Sequence, residues 1–61
     1  METQTAKLVR RLQSEGWSFL RHGANHDVFT HPDRALPIQV PRHRHVSPGV
    51  ARSIAKAAGW I

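Results

Sequence analysis

Glycine and proline punctuate this chain so often that no segment between them has room for more than one helix or one strand. Gly16, Gly23, Pro32, Pro37, Pro41, Pro48, Gly49 and Gly59 are spread through 61 residues, and the longest stretch free of them runs from Met1 to Glu15. Proline removes a backbone donor and fixes φ, while glycine opens conformations closed to other residues, so each marks a boundary. The fold must be assembled from short elements in a single domain, residues 1–61, because so short a chain has no material for a second core. Cysteine is absent, so neither a disulfide nor a thiolate metal site can staple it.

Between these boundaries the residues recur with recognisable periods. From Thr5 to about Glu15, Leu8, Val9 and Leu12 lie apart from Lys7, Arg10, Arg11 and Gln13, which predicts an amphipathic helix ended by Gly16. "WSFLR" is rich in strand formers, and its period of two sets Trp17 and Phe19 against Ser18 and Leu20. "HGAN" predicts a turn in which glycine and asparagine accept positive φ, and "HDVFT" a second strand paired with the first as a hairpin. "HPDR" is the next turn, and "LPIQVP" a short third strand with an exposed edge. Ser47 caps a last helix that has Pro48 in its first turn and is closed by Gly59. Val50, Ile54 and Ala57 or Ala58 form its apolar stripe, while Arg52 and Lys56 share another face with no acid nearby. The order is α-β-β-β-α, an α+β fold with a three-stranded antiparallel sheet, two helices on one face and the other face open. Trp17 belongs to the core; Trp60 has no assignment.

Charge narrows the classes of partner. Nine Lys and Arg stand against four Asp and Glu, a net charge of +5. Residues 1–33 are balanced, whereas residues 34–61 hold Arg34, Arg42, Arg44, Arg52 and Lys56 and no acid. Such a half favours a polyanion or an acidic protein. No apolar run is long enough for a secretory signal or a membrane span, so a cytoplasmic protein without membrane contact is expected.

Three features carry chemistry. On a regular second strand His26 shares a face with Val28, and Asp27 shares the other with Phe29. Phe29 is the natural core residue, so His26 projects from the open face. An imidazole there, beside arginines, can serve as general acid or base on a phosphodiester, or be a surface histidine bonded within the hairpin. His43 and His45 stand two apart, yet no third ligand follows at a recognisable interval, which argues against a metal site; no cofactor is expected. "PRHRH" reads instead as a basic loop meeting phosphates through Arg42 and Arg44, or as a plain solvated loop. It runs directly into the helix start at Ser47, where free N–H groups and the helix dipole suit an anion.

Taken in order, "EGW", "GANHDVFTHPD", "IQVPRH" and "SPGVARSIAKAAG" resemble the HicA family of toxins from bacterial toxin–antitoxin pairs, over nearly the whole chain. The most specific pieces are Gly23, His26 and Phe29 in a Gly-x-x-His-x-x-Phe pattern, "VPRH", and the Pro-Gly start of a last helix ending in Ala-Gly. The resemblance implies a fold like the double-stranded RNA-binding domain and a ribosome-independent mRNA endoribonuclease, an mRNA interferase. It implies that His26 is the single catalytic histidine, acting as a ribose 2′-OH attacks the adjacent phosphate, with no metal required. Arg42, Arg44, Arg52 and Lys56, with the helix start at Ser47, are then the candidates for RNA binding and for charge stabilisation in the transition state. The implied partner is a HicB-type acidic antitoxin. The chain departs from the common family pattern at Ala24, Asn25 and Asp27, and strand alternation sends the Asp27 side chain away from His26. Two alternatives share this fold: a non-catalytic RNA-binding module, which binds RNA and leaves it uncut, and a protein-interaction domain whose basic surface serves only an acidic partner.

Overall fold

In the computed structural model, which describes Met1–Ile61, α1 spans Thr5–Ser14, β1 Ser18–His22, β2 His26–Thr30, β3 Ile38–Pro41 and α2 Pro48–Ala57. The element order and the open three-stranded antiparallel sheet, β1-β2-β3, are those the sequence predicts. Leu8 and Leu12 of α1, Trp17, Phe29 of β2, Ile38 and Val40 of β3, Val46, and Ala51, Ile54 and Ala58 on or just after α2 form one buried cluster. Burial of such side chains stabilises by about 25 cal/mol per Å² of apolar surface removed from water, the main driving force open to a chain without covalent staples.

Both helices end in the same device. Gly16 takes φ +97° and Gly59 φ +82°. At the first, Gly16 N–H donates to Gln13 O and Trp17 N–H to Leu12 O; at the second, Gly59 N–H donates to Lys56 O and Trp60 N–H to Ala55 O. These paired bonds satisfy carbonyls that the last turn leaves free, and the left-handed residue between them must be glycine to avoid strain. At the other end of α2, Ser47 Oγ accepts from Val50 N–H at 3.2 Å, and Pro48 fills the first helical position.

Several local expectations shift. Gly23 and Asn25 do not take positive φ, so the hairpin closes by other means. The β1 ladder slips between Phe19 and Arg21, leaving Leu20 as a bulge residue, so simple alternation does not run through the strand. Trp17 is buried but precedes the first strand residue, and Phe19 remains 46% exposed. The core stripe of α2 is Ala51, Ile54, Ala55 and Ala58: Ile54 and Ala58 are buried as expected, while Ala51 and Ala55 join them, Val50 is half-buried against the core and Ala57 is exposed. β3 begins at Ile38, with Leu36 in the exposed loop before it.

Two connections have no signal in the sequence. The segment before α1 is laced to the loop before α2: Thr5 N–H donates to Arg44 O and Val46 N–H to Thr3 O, forming a bridge between Gln4 and His45. The β2–β3 loop reaches back to both helix ends. His31 Nε2 lies 2.9 Å from Glu15 O, and Arg34 Nη2 donates to Ala58 O at 3.3 Å.

Candidate functional site on the β1–β2 hairpin

The register of β2 fixes which way its side chains face. Phe29 pairs with Ile38 and Asp27 with Val40, so these four look toward the helices; His26 pairs with Pro41 and Val28 with Gln39, on the other face. His26 therefore stands on the open face as alternation predicts, at the end of β2 next to the hairpin loop. Its imidazole is half-buried and lies over Gly23: a Cβ added there would meet Nε2 at 2.7 Å and Cδ2 at 3.0 Å. Glycine is needed at 23 for close approach, not for φ. Neither ring nitrogen of His26 bonds to protein, and neither is a buried polar atom without a partner, so both face solvent.

Around the loop lies a cluster that the sequence does not announce. His22 pairs across the hairpin with Asp27, and its Nδ1 is 2.7 Å from Asp27 Oδ1. An ionised carboxylate only accepts, so Nδ1 carries the proton and His22 Nε2 is left free. The Phe19 ring packs on this imidazole with centroids 4.8 Å apart. Arg42 Nη1 approaches the same Asp27 oxygen at 3.3 Å. The hydrogen bond from His22, followed by the one from Arg42, holds the Asp27 carboxyl below its ordinary value against partial desolvation. His22 and Asp27 are direct cross-strand neighbours with four residues, 23–26, between them, and that spacing is the one available signal.

The candidate phosphate-binding residues separate into two groups. Arg42 follows β3 and turns its guanidinium onto the hairpin that carries His26. Arg44 is exposed in the loop laced to the start of α1, and Ser47 caps α2. Arg52 and Lys56 are exposed on α2 outside its core stripe, in the helical layer, whereas His26 is on the opposite sheet face. The structure thus brings Arg42 to the backbone of His26, with its guanidinium against Asp27, and leaves Arg52 and Lys56 apart from it. No three His, Cys, Asp or Glu side chains come together as a metal cluster.

Comparison with known families gives a match to the model described as HicA toxin of bacterial toxin–antitoxin, over residues 5–60. The chain belongs to the HicA toxin family. It is thus a toxin of a toxin–antitoxin pair, from a family of mRNA-cleaving toxins, and an antitoxin is its partner. Comparison with curated protein sequences finds no match. The HicA match runs from the first residue of α1 to Trp60, so it takes in the hairpin, the basic loop and both helices. No helix of the structure is long and apolar enough to cross a membrane.

Proposed function

We propose that this toxin is an mRNA endonuclease that acts without the ribosome and uses His26 as its proton-transfer group. The observation that carries the reading is the imidazole of His26, fixed against Gly23 on an open face with both ring nitrogens free. In the neutral form it accepts the proton of a ribose 2′-OH as that oxygen bonds to the adjacent phosphorus. The bond from phosphorus to the 5′-oxygen then breaks, and the leaving oxygen takes a proton from the imidazolium or from water. The products are a 2′,3′-cyclic phosphate and a 5′-hydroxyl, and the scheme requires no metal ion. Only RNA supplies the internal nucleophile.

Arg44, Arg52, Lys56 and the helix start at Ser47 are assigned to phosphates of an RNA longer than the scissile step. Their charge is unpaired by any acid in contact, which suits sequence-tolerant, salt-sensitive binding. The same charge suits a HicB-type acidic antitoxin that covers the His26 face, with electrostatic attraction speeding its capture. The test is His26→Ala in the full chain. RNA cleavage is expected to fall by about 10²–10⁴-fold while the fold and antitoxin binding persist. Cleavage at an unchanged rate, or a 5′-phosphate product, would rule the reading out. RNA bound but uncut by the unsubstituted protein would favour the non-catalytic module.

A further inference from the structure

The β1–β2 loop is held by one side chain from outside it. Arg42 Nη1 donates to Gly23 O and to His26 O, each at 3.3 Å, and Nη2 donates to Ala24 O at 3.0 Å. The Arg42 backbone N–H donates to the remaining carbonyl, Asn25 O, at 3.1 Å. Every carbonyl from Gly23 to His26 thus accepts from Arg42. Within the loop the only other closure is Gly23 N–H to His26 O, at 2.7 Å. Asp27 completes the arrangement: its carboxylate, bonded to His22, approaches Nη1 at 3.3 Å and gives the guanidinium a counter-charge on the hairpin itself.

We infer that Arg42 is the positioning residue for His26, setting the loop against which the imidazole rests, rather than a contact for substrate phosphate. This rests on the ribonuclease reading above. The planar guanidinium suits the task because its donors are spread in a fixed fork and reach carbonyls on both sides of the loop; a lysine ammonium concentrates charge and donors at one point. The imidazole has no hydrogen bond of its own to hold it. Its place depends on the backbone of residue 26 and on the Gly23 surface, and Arg42 grips both.

The experiment compares Arg42→Lys and Arg42→Ala with the unsubstituted 61-residue chain, measuring single-turnover cleavage of an RNA oligonucleotide. Binding of the same RNA is measured in a His26→Ala background across a salt series. A positioning role predicts that both variants lose at least about tenfold in rate, that Lys rescues no better than Ala, and that affinity and salt slope are unchanged. A phosphate contact predicts that Lys restores the rate, and that Ala weakens binding and lowers the salt slope by about one; that result would overturn the assignment. If Arg42→Ala does not fold, the unsubstituted chain decides. Titrated with an RNA made uncleavable by 2′-deoxy substitution at the cut site, its Arg42 guanidinium ¹⁵N–¹H resonances stay in place under positioning and move under phosphate contact. An unsubstituted chain that leaves RNA intact defeats the ribonuclease reading, whereas an Arg42→Lys variant that cuts RNA as fast as the unsubstituted chain defeats only the positioning role.

Discussion

β2 has a histidine at each end, His26 as its first residue and His31 just past its last, and both rings lie against a glycine. The two contacts look alike in distance: a Cβ would meet Nε2 at 2.7 Å over Gly23 and at 2.9 Å over Gly16. They differ in what the ring nitrogens do. His31 Nδ1 accepts from Asp33 N–H at 3.0 Å, which places the proton on Nε2, and Nε2 donates to Glu15 O. Its ring also packs on Trp17 at 5.2 Å between centroids. Both of its polar atoms are consumed, Nδ1 within the β2–β3 loop and Nε2 at the end of α1. His26 has both to spare. The lesson is that a histidine's availability is read from its nitrogens, since packing against glycine is common to the structural and the chemical case.

The largest effects should separate the two ends. His26→Ala is expected to remove about 3–5 kcal/mol of barrier lowering, measured as a cleavage rate, with little change in melting temperature. Gly23→Ala comes next. Residue 23 does not have positive φ, so its backbone tolerates alanine, but the new methyl displaces the His26 ring. A loss on the order of 100-fold in rate is expected, with unchanged stability by urea unfolding. If Gly23→Ala instead unfolded the chain at full specific activity, the two glycine contacts would be of one kind.

At the other end the order of effects reverses. His31→Ala loses two hydrogen bonds and the Trp17 contact and should destabilise by about 1–2 kcal/mol, with cleavage by the folded fraction unaltered. Gly16→Ala places a side chain at φ +97°, so backbone strain of about 1–2 kcal/mol is expected there. In so small a domain each kcal/mol lowers the melting temperature by roughly 4–8 °C, which calorimetry resolves.

The smallest effect is acid sensitivity. Asp27 titrates below its ordinary value because of His22 and then Arg42, and Glu15 titrates low because Trp60 Nε1 and then Arg11 bond its carboxylate. A lowered folded pKa contributes stability above the unfolded value, and that contribution is lost as pH falls through the folded value. The contribution of these two carboxylates should therefore be level through neutrality and decline below about pH 4. Trp60 fluorescence reports the helix end, and amide resonances of residues 23–27 report the hairpin. An acid decline that persists in Asp27→Asn at the hairpin amides would show that Asp27 is not its source.

Much of this is legible in the sequence, for physical reasons. Periods of two and of three to four mark which side of an element is apolar, and glycine and proline mark where elements stop; the five elements and the outward face of His26 follow from those alone. Gly23 is legible as a special position but not as the right kind, because a turn glycine and a close-approach glycine look identical without coordinates. The Leu20 bulge breaks alternation without any residue that announces it. Arg42 sits in a run of basic residues, and nothing local tells an arginine facing solvent from one bonded to a loop about sixteen to nineteen positions earlier. Trp60 is unassignable for the same reason: its partners are Glu15 at 2.6 Å and the Arg11 guanidinium 4.0 Å from its ring centroid, both from the first helix and its cap.

That fastening of α1 bears on how the toxin is made. α1 is synthesised before the rest of the fold, yet Thr3 and Thr5 find their backbone partners only when Arg44 and Val46 exist, and Glu15 waits 45 residues for Trp60. The hairpin ladder is local in sequence, whereas the contacts that seal the first helix span most of the chain. Arg42, which donates to every carbonyl from Gly23 to His26, also follows the hairpin in the chain. α1 can be fastened at both ends only after Arg44, Val46 and Trp60 have been made.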